Sequence, residues 1–230
     1  TKTLKDTKTK LEDISKEKTG GEKTPAVEGI AEVVKTVGEW LDGLIKAAEG
    51  GGKAADGGGD KIGNVAAAGG GAGADKESVN GIAGAIKGIV EAAKKVEGVK
   101  FEPTAAADAA GGDGNKKAGK LFGTGAGATA EDVNKAAAAV GAVSGEQILN
   151  AIVTAAGQAG QDGQAAGQAK NAIEAAIGGA AAAEFGTDND KIGKKNDQIA
   201  AALVLRGVAK SGKFAGADNE TEKVKAVVES

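Results

Sequence analysis

The chain has 230 residues, with 29 basic and 32 acidic side chains, a net charge of −3, and neither cysteine nor histidine. This composition excludes disulfides, thiolate or imidazole metal sites, and nucleophilic catalysis of the Ser-His-Asp or Cys-His type within these residues. The balanced charge and the scarcity of aromatic residues argue against nucleic-acid binding.

Alanine supplies much of the apolar content, and alanine is the best helix former. Small side chains bury little area each, so each contact stabilises the fold only slightly. We therefore expect ordered, thinly cored helices that approach one another closely over long contacts.

The N-terminal part of the chain predicts two helices. A sparse apolar stripe among charged residues indicates the first, over 1–18. Thr24 and Pro25 are typical of a helix start, with Thr as the N-cap and Pro at the first helical position. The apolar residues that follow have helical spacing, and Gly50–Gly52 is expected to end this second helix. Trp40 lies beside the stripe, where we expect it to pack at the edge rather than bind a ligand.

Glycine-rich and helical stretches alternate in the middle of the chain. Residues 50–75 contain little besides Gly, Ala, Asp and Lys, which favours loops around a short helix near 62–68. Asp75 is a candidate N-cap for a long helix that we expect to end at Gly98. Residues 101–115 are again irregular by pattern.

The C-terminal half predicts further helices. One opens at Thr129, and Ser144 with Gln147 forms the capping box of the next. Another passes through Ile173 and Ile177. No convincing alternation of apolar and polar residues appears, so the sequence predicts an all-α chain: one elongated, bundle-like domain over 1–230, with Ala-rich helices joined by Gly-rich loops.

The segment 197–215, DQIAAALVLRGVAKSGKFA, is apolar on nearly every face of its helix. A surface helix needs only one apolar stripe, so this helix must be buried, and it is too short to span a bilayer. Asp197 stands where an N-cap belongs, and Lys210 with Gly212 predicts the end. The residues expected to form its buried core are Ile199, Leu203, Leu205, Arg206 and Val208.

Several features of this region have alternative interpretations. A guanidinium in an apolar helix is costly unless it is paired, so Arg206 should make an internal ion pair or contact a helix end, in preference to anchoring a ligand. The run 207–214 nearly spells a phosphate-binding loop, but a helix precedes it and Phe214 replaces the required hydroxyl. The run 188–199 begins like a calcium loop, yet Ile192 and Ile199 occupy ligand positions.

Four segments, SVNGIAGAIKGIVEAA, KAGKLFG, AVSGEQILNAIVTAAG and the buried helix, resemble in order the constant segments of the Borrelia variable large proteins. They cover 78–93, 117–123, 142–157 and 197–215. The resemblance implies that variation concentrates in the connectors 50–75, 101–115, 157–167 and 178–195. The family's lipid-bearing N-terminal Cys is absent, and 224–230 stop inside a helical pattern, so we expect an excerpt of a longer mature protein.

The resemblance implies a lipid-anchored, non-enzymatic antigen on the extracellular face of the spirochaete outer membrane. Its connectors would meet host antibodies and shield the constant helix, which is antigenic variation serving immune evasion. The alternative is a host-ligand-binding module, an adhesin or a binder of complement regulators. An enzyme would need a clustered carboxylate pair that spacing does not establish. We expect no cofactor, nucleotide or nucleic acid; a homo-oligomer and an unidentified host ligand remain open.

Overall fold

The computed structural model describes residues 1–19, 25–55, 63–66, 71–96, 99–109, 113–125, 127–158, 161–217 and 219–229. These ranges contain eight α-helices, one 3₁₀ helix and two strands of two residues each. In chain order they are α1 (Lys2–Thr19), α2 (Pro25–Ala55), β1 (Val65–Ala66), α3 (Lys76–Lys94), the 3₁₀ helix (Lys116–Phe122), α4 (Ala130–Gly141), α5 (Gly145–Ala156), α6 (Ala172–Ile177), α7 (Asn196–Val208), β2 (Phe214–Ala215) and α8 (Thr221–Glu229).

The chain is mostly helical, which confirms the predicted fold class. The strands β1 and β2 form one short parallel pair, with Val65 opposite Phe214. The helix predicted near 62–68 is therefore wrong where the structure describes it. Residues 63–66 instead use their main chain to hold β2, and the Phe214 N–H donates to the Asn64 carbonyl at 2.9 Å.

The helix starts follow the capping residues. Asp75 is the N-cap of α3 and accepts a hydrogen bond from the Ser78 N–H, as predicted. Ser144 and Gln147 form the capping box of α5, and α4 begins directly after Thr129. Pro25 is the first residue of α2, whereas Thr24 lies outside the described residues. The α3 helix ends at Lys94; the predicted end at Gly98 also falls outside them.

The glycines at 50–52 do not end α2, contrary to the prediction, because α2 continues to Ala55. These glycines instead allow α2 and α3 to approach each other closely in an antiparallel arrangement. A Cβ added to Gly51 would lie only 2.8 Å from the Ala85 Cβ, and one added to Gly81 would lie 2.6 Å from the Ala54 Cβ. The close approach of the two helix backbones therefore offsets the propensity cost of glycine inside a helix.

The core is built by α3–α7, the 3₁₀ helix, β2 and α8, and alanine supplies many of its buried side chains. Helix α1 lies outside this core against α2, held partly by exposed ion pairs such as Lys8 with Asp42 at 2.7 Å. No single helix in the described ranges is long and apolar enough to span a membrane. Helices α4 and α5 reach that composition only as a pair, across a bend of 97°.

Candidate functional site: the buried helix α7

Helix α7 lies among α3, α4, α5, α6 and α8. Ile199, Leu203, Leu205 and Arg206 are buried. Val208 is only partly buried, contrary to the prediction; it is the last residue of the helix and packs at the margin of the core. Among the large apolar residues of α7, Val204 is exposed, at 41 %. The helix therefore presents a narrow face to solvent and buries the remainder.

The first turn of α7 is held by an asparagine that the sequence analysis did not single out. The helix begins at Asn196 with Lys195 as its N-cap, so the prediction that Asp197 is the N-cap is wrong. The buried Asn196 side chain donates to the Ala107 carbonyl at 3.2 Å and accepts from the Asn115 Nδ2 at 2.8 Å. Asp197 is the second helical residue, and its partial burial raises the pKa of its carboxyl group.

Arg206 is fully buried and lies against the main chain of two other helices. Its Nε donates to the Ala176 carbonyl at 2.8 Å, and its two terminal nitrogens donate to the carbonyls of Phe122 and Ile177 at 2.8 and 3.3 Å. These acceptors end the 3₁₀ helix and α6, whose last carbonyls lack partners within their own helices. The contact is thus the predicted helix-end contact, not an ion pair.

Three phenylalanines pack beside this arginine. The Phe122 ring lies 5.3 Å from Phe185 and 5.7 Å from Phe214, measured between ring centroids, and the Arg206 guanidinium carbon is 4.8 Å from the Phe122 centroid. The Arg206 guanidinium therefore makes a cation–π contact with Phe122 in addition to its hydrogen bonds to carbonyl groups. Phe214 fills the position of the hydroxyl in the phosphate-loop-like run, and it is buried in this cluster.

The chain leaves α7 through a tight turn. Ser211 has a left-handed φ of 61°. The Lys210 N–H donates to the Ser78 hydroxyl at 3.0 Å, and the Ser78 hydroxyl donates to the Ala54 carbonyl at 2.6 Å. Gly212 is required because a Cβ there would lie 2.3 Å from the Arg206 carbonyl oxygen. This turn ties the end of α7 to α2 and α3.

The connector 178–195, where the resemblance implies variation, contributes side chains to the core. In 178–195, Phe185 and Ile192 are buried in the core, whereas Asp188, Asn189 and Asp190 are exposed. The apolar side chains of this connector are too few to form a periodic pattern, so sequence reasoning missed both anchors. A connector here has an inner face that packs and an outer face that meets solvent.

The remaining candidate sites of the sequence have the following geometry. In the described ranges no group of three or more acidic side chains is arranged to hold a metal ion, and Asp190 of the calcium-loop-like run pairs with Lys170 at 3.0 Å. Trp40 lies at the edge of the α2 stripe, on a cavity of about 430 Å³ beside the end of α3. Its Nε1 is buried with no hydrogen-bond partner among the described residues.

The chain is similar to lipoproteins and variable large proteins of Borrelia. A family model described as a Borrelia lipoprotein matches residues 1–230. Variable large protein 4 of Borrelia hermsii is 37 % identical over 162 residues, 67 % of this chain and 43 % of the relative. Variable large protein 25 of the same species is 33 % identical over 172 residues, 72 % of this chain and 45 % of the relative.

A solved structure resembles the fold. The crystal structure of the Lyme disease variable surface antigen VlsE of Borrelia burgdorferi has a TM-score of 0.73 and 44 % sequence identity. The match covers 98 % of this chain and 73 % of that one. The chain spans less than half the length of the two curated relatives, 43 % and 45 % respectively.

Proposed function

The chain belongs to the Borrelia lipoprotein family, and we propose that it is an outer-surface antigen of antigenic variation, held at the outer membrane by a lipid. Its exposed connector residues meet host antibodies and change between variants. The helix α7 stays constant because it stays covered. The mechanism is steric, because the residues that antibodies can reach are the ones that vary, whereas the constant residues of α7 are buried.

One observation carries this proposal, namely the contrast between α7 and the residues outside it. Ile199, Leu203 and Leu205 are buried, so an antibody can reach them only after local unfolding. For a core helix the free energy of that opening approaches the global stability. The stretch 188–190 is exposed on the folded protein and needs no opening.

Antibodies test the proposal directly. Sera are raised against a peptide of residues 197–210 and against a peptide of residues 186–191. Each serum is used for flow cytometry on live cells and for a blot of denatured protein. We expect the helix serum to stain the blot strongly and live cells weakly, and the connector serum to stain both.

Cells whose outer membrane proteins have been denatured before staining serve as the positive control for the helix serum. Strong staining of untreated live cells by the helix serum would overturn the proposal. The exposed apolar face of α7 would then be better explained as a surface for a host ligand, and the binding-module interpretation would replace this one.

A further inference from the structure

Resting on the proposed function, we propose that the described residues of 101–115 and of 178–195 form one cover over the start of α7, tied together by main-chain hydrogen bonds. The outer side chains of this cover can then be exchanged while it remains closed. In the first segment the cover consists of residues 101–109 and 113–115, since residues 110–112 lie outside the described part of the chain.

The first support is the hydrogen bonding between the two segments. The Ala109 N–H donates to the Lys194 carbonyl at 2.8 Å, and the Asn115 N–H donates to the Gly193 carbonyl at 3.0 Å. Asp108 and Lys195 face each other in an isolated antiparallel bridge. Main-chain donors and acceptors are present whatever the side chain, proline donors excepted. These links are therefore largely independent of sequence.

The second support is that the 178–195 segment is folded back on itself and onto the 3₁₀ helix. The Gly193 N–H donates to the Gly186 carbonyl at 2.8 Å. The Phe185 N–H donates to the Lys116 carbonyl at 2.8 Å. The exposed residues 188–190 form the outside of this loop, and its closing bonds again use only the main chain.

The third support is Asn196, which joins both segments to α7. Its side chain bonds the Ala107 carbonyl and the Asn115 amide, so a single helical residue contacts the 101–115 segment twice. Its own main chain continues directly from Lys195 of the other segment. If either segment moved away from α7, the main-chain hydrogen bonds between the two segments would break.

The fourth support is that two glycines cannot vary. A Cβ added to Gly193 would lie 2.6 Å from the Gly186 oxygen and 3.0 Å from the Phe185 oxygen. Gly114 has a φ of +53°, and its Cβ would lie 2.7 Å from the Gly193 oxygen. Backbone atoms cannot rotate aside as side chains do. A side chain at Gly114 would push the 101–115 segment away from the 178–195 segment, and one at Gly193 would force open the 178–195 loop itself and displace the carbonyl that Asn115 bonds. Both glycines are therefore fixed, although the exposed side chains around them can vary.

Hydrogen exchange of the full purified chain tests whether the two segments open together. The variants are Gly193→Ala and Asn196→Ala. The controls are Gly125→Ala, where no atom lies within 4 Å of the added Cβ, and Asn189→Lys on the exposed outer face. We expect Gly193→Ala to speed exchange by at least about tenfold in peptides covering both 105–116 and 185–197, since overpacking against backbone weakens local closure.

Both controls should exchange as the wild-type chain does, and Asn196→Ala should accelerate the same two peptides as Gly193→Ala. If Gly193→Ala does not fold, the Asn196→Ala result decides. Acceleration confined to 185–197, or none in either peptide, would overturn the single cover. The proposed function would survive that result, because Ile199, Leu203 and Leu205 are buried and α7 also packs against α3–α6. Only live-cell staining by helix antibodies overturns the proposed function.

Discussion

Arg206 places a guanidinium among main-chain carbonyls and a phenylalanine ring, with no carboxylate bonded to it among the described residues. Desolvation of the cation is offset by three hydrogen bonds to helix ends, where the carbonyl dipoles favour positive charge. Burial lowers the pKa of Arg206 to about 9, which leaves it protonated at neutral pH. The residue therefore stabilises two helix ends at once.

Replacing Arg206 should cost more than its own packing. In Arg206→Met the three carbonyls remain buried and lose their donor, while a desolvated charge is removed. Each orphaned acceptor costs about 1–3 kcal/mol, so we expect a net loss of about 3 kcal/mol of unfolding free energy. Arg206→Lys should lose less, because an ammonium still donates to part of the set. Urea denaturation at pH 7 measures the stability of both variants. Equal stability of Arg206→Met and wild type would contradict the stabilising role of Arg206 at the two helix ends.

The pKa of Arg206 also predicts the pH range in which the stability of the protein changes. Burial lowers the pKa of Arg206 from its ordinary value in the unfolded chain to about 9 in the folded one. The unfolded state therefore binds more protons between those values, and the contribution of Arg206 to stability rises with pH only above about pH 9. From pH 6 to 8 the stability difference between wild type and Arg206→Met should be constant. Urea titrations at pH 6, 7 and 8 check this; a slope would mean that another titrating group is coupled to Arg206.

The sequence predicted that Arg206 needs a partner, and it offered an ion pair or a helix-end contact. It could not identify the acceptors, because every residue has a carbonyl group. Phe122, Ala176 and Ile177 are distinguished only by standing at helix ends that the fold brings to α7. For the same reason Asn196 was missed: its partners are another amide and a main-chain oxygen.

Two adjacent residues of helix α7 differ sharply in their exposure to solvent. Leu203 is 2 % exposed and Val204 is 41 % exposed. Leu203→Ala should cost about 2–5 kcal/mol, because a buried cavity remains. Val204→Ala should change stability by no more than about 0.5 kcal/mol. Chemical denaturation of the two variants measures this difference, and similar midpoints would show that α7 is not the packed helix described above.

The α2–α3 packing offers a second matched pair. Gly81→Ala places a Cβ 2.6 Å from the Ala54 Cβ, so the two helices must separate and stability should fall by about 1–3 kcal/mol. Gly84→Ala meets nothing within 4 Å, and should gain roughly 0.5–1 kcal/mol from helix propensity. Thermal unfolding of both variants compares them. A stabilising Gly81→Ala would mean that the helices lie further apart than the structure has them.

This packing also explains why one boundary was predictable and another was not. Asp75 marks the start of α3 because its side chain bonds the helix directly, a local signal. Gly50–Gly52 carries an equally strong local signal for an end, yet α2 continues because Gly51 faces Ala85. Packing against α3 therefore sets where α2 ends, and the sequence of α2 alone does not contain this information. The two-residue strands are too short to have a period at all.

At the scale of the whole molecule, the exposed outer faces of the connectors are separate from the core. Glu102, Gln164 and Asn189 belong to three different connectors and are all exposed. A triple variant with lysine at each position should keep the stability of the parent within about 1 kcal/mol, because exposed sites change it little and distant sites add. The melting temperature measures stability, and connector sera measure the altered surface. A large loss of stability would mean that these outer faces carry packing after all.

The sequence predicted which parts of the chain belong to helices better than it predicted the connectors. Helical periodicity repeats over many residues, so errors at single positions do not hide it. Phe185 and Ile192 anchor a connector as isolated apolar residues among Gly, Asp and Lys. Such anchors become visible only once the fold shows that Phe185 meets Phe122 from another part of the chain.

The turn after α7 has a consequence for the order in which the chain folds. The Lys210 N–H pairs with Ser78 across 132 residues, and Arg206 reaches Phe122 across 84. Contacts so distant in sequence close long loops, which makes folding slower than in helical proteins with local contacts. At a synthesis rate of roughly 5–20 residues per second, Ser78 is made on the order of ten seconds before Lys210. During that interval the apolar faces of α3–α6 lack the helix that buries them, so a chain released early would expose those faces to aggregation.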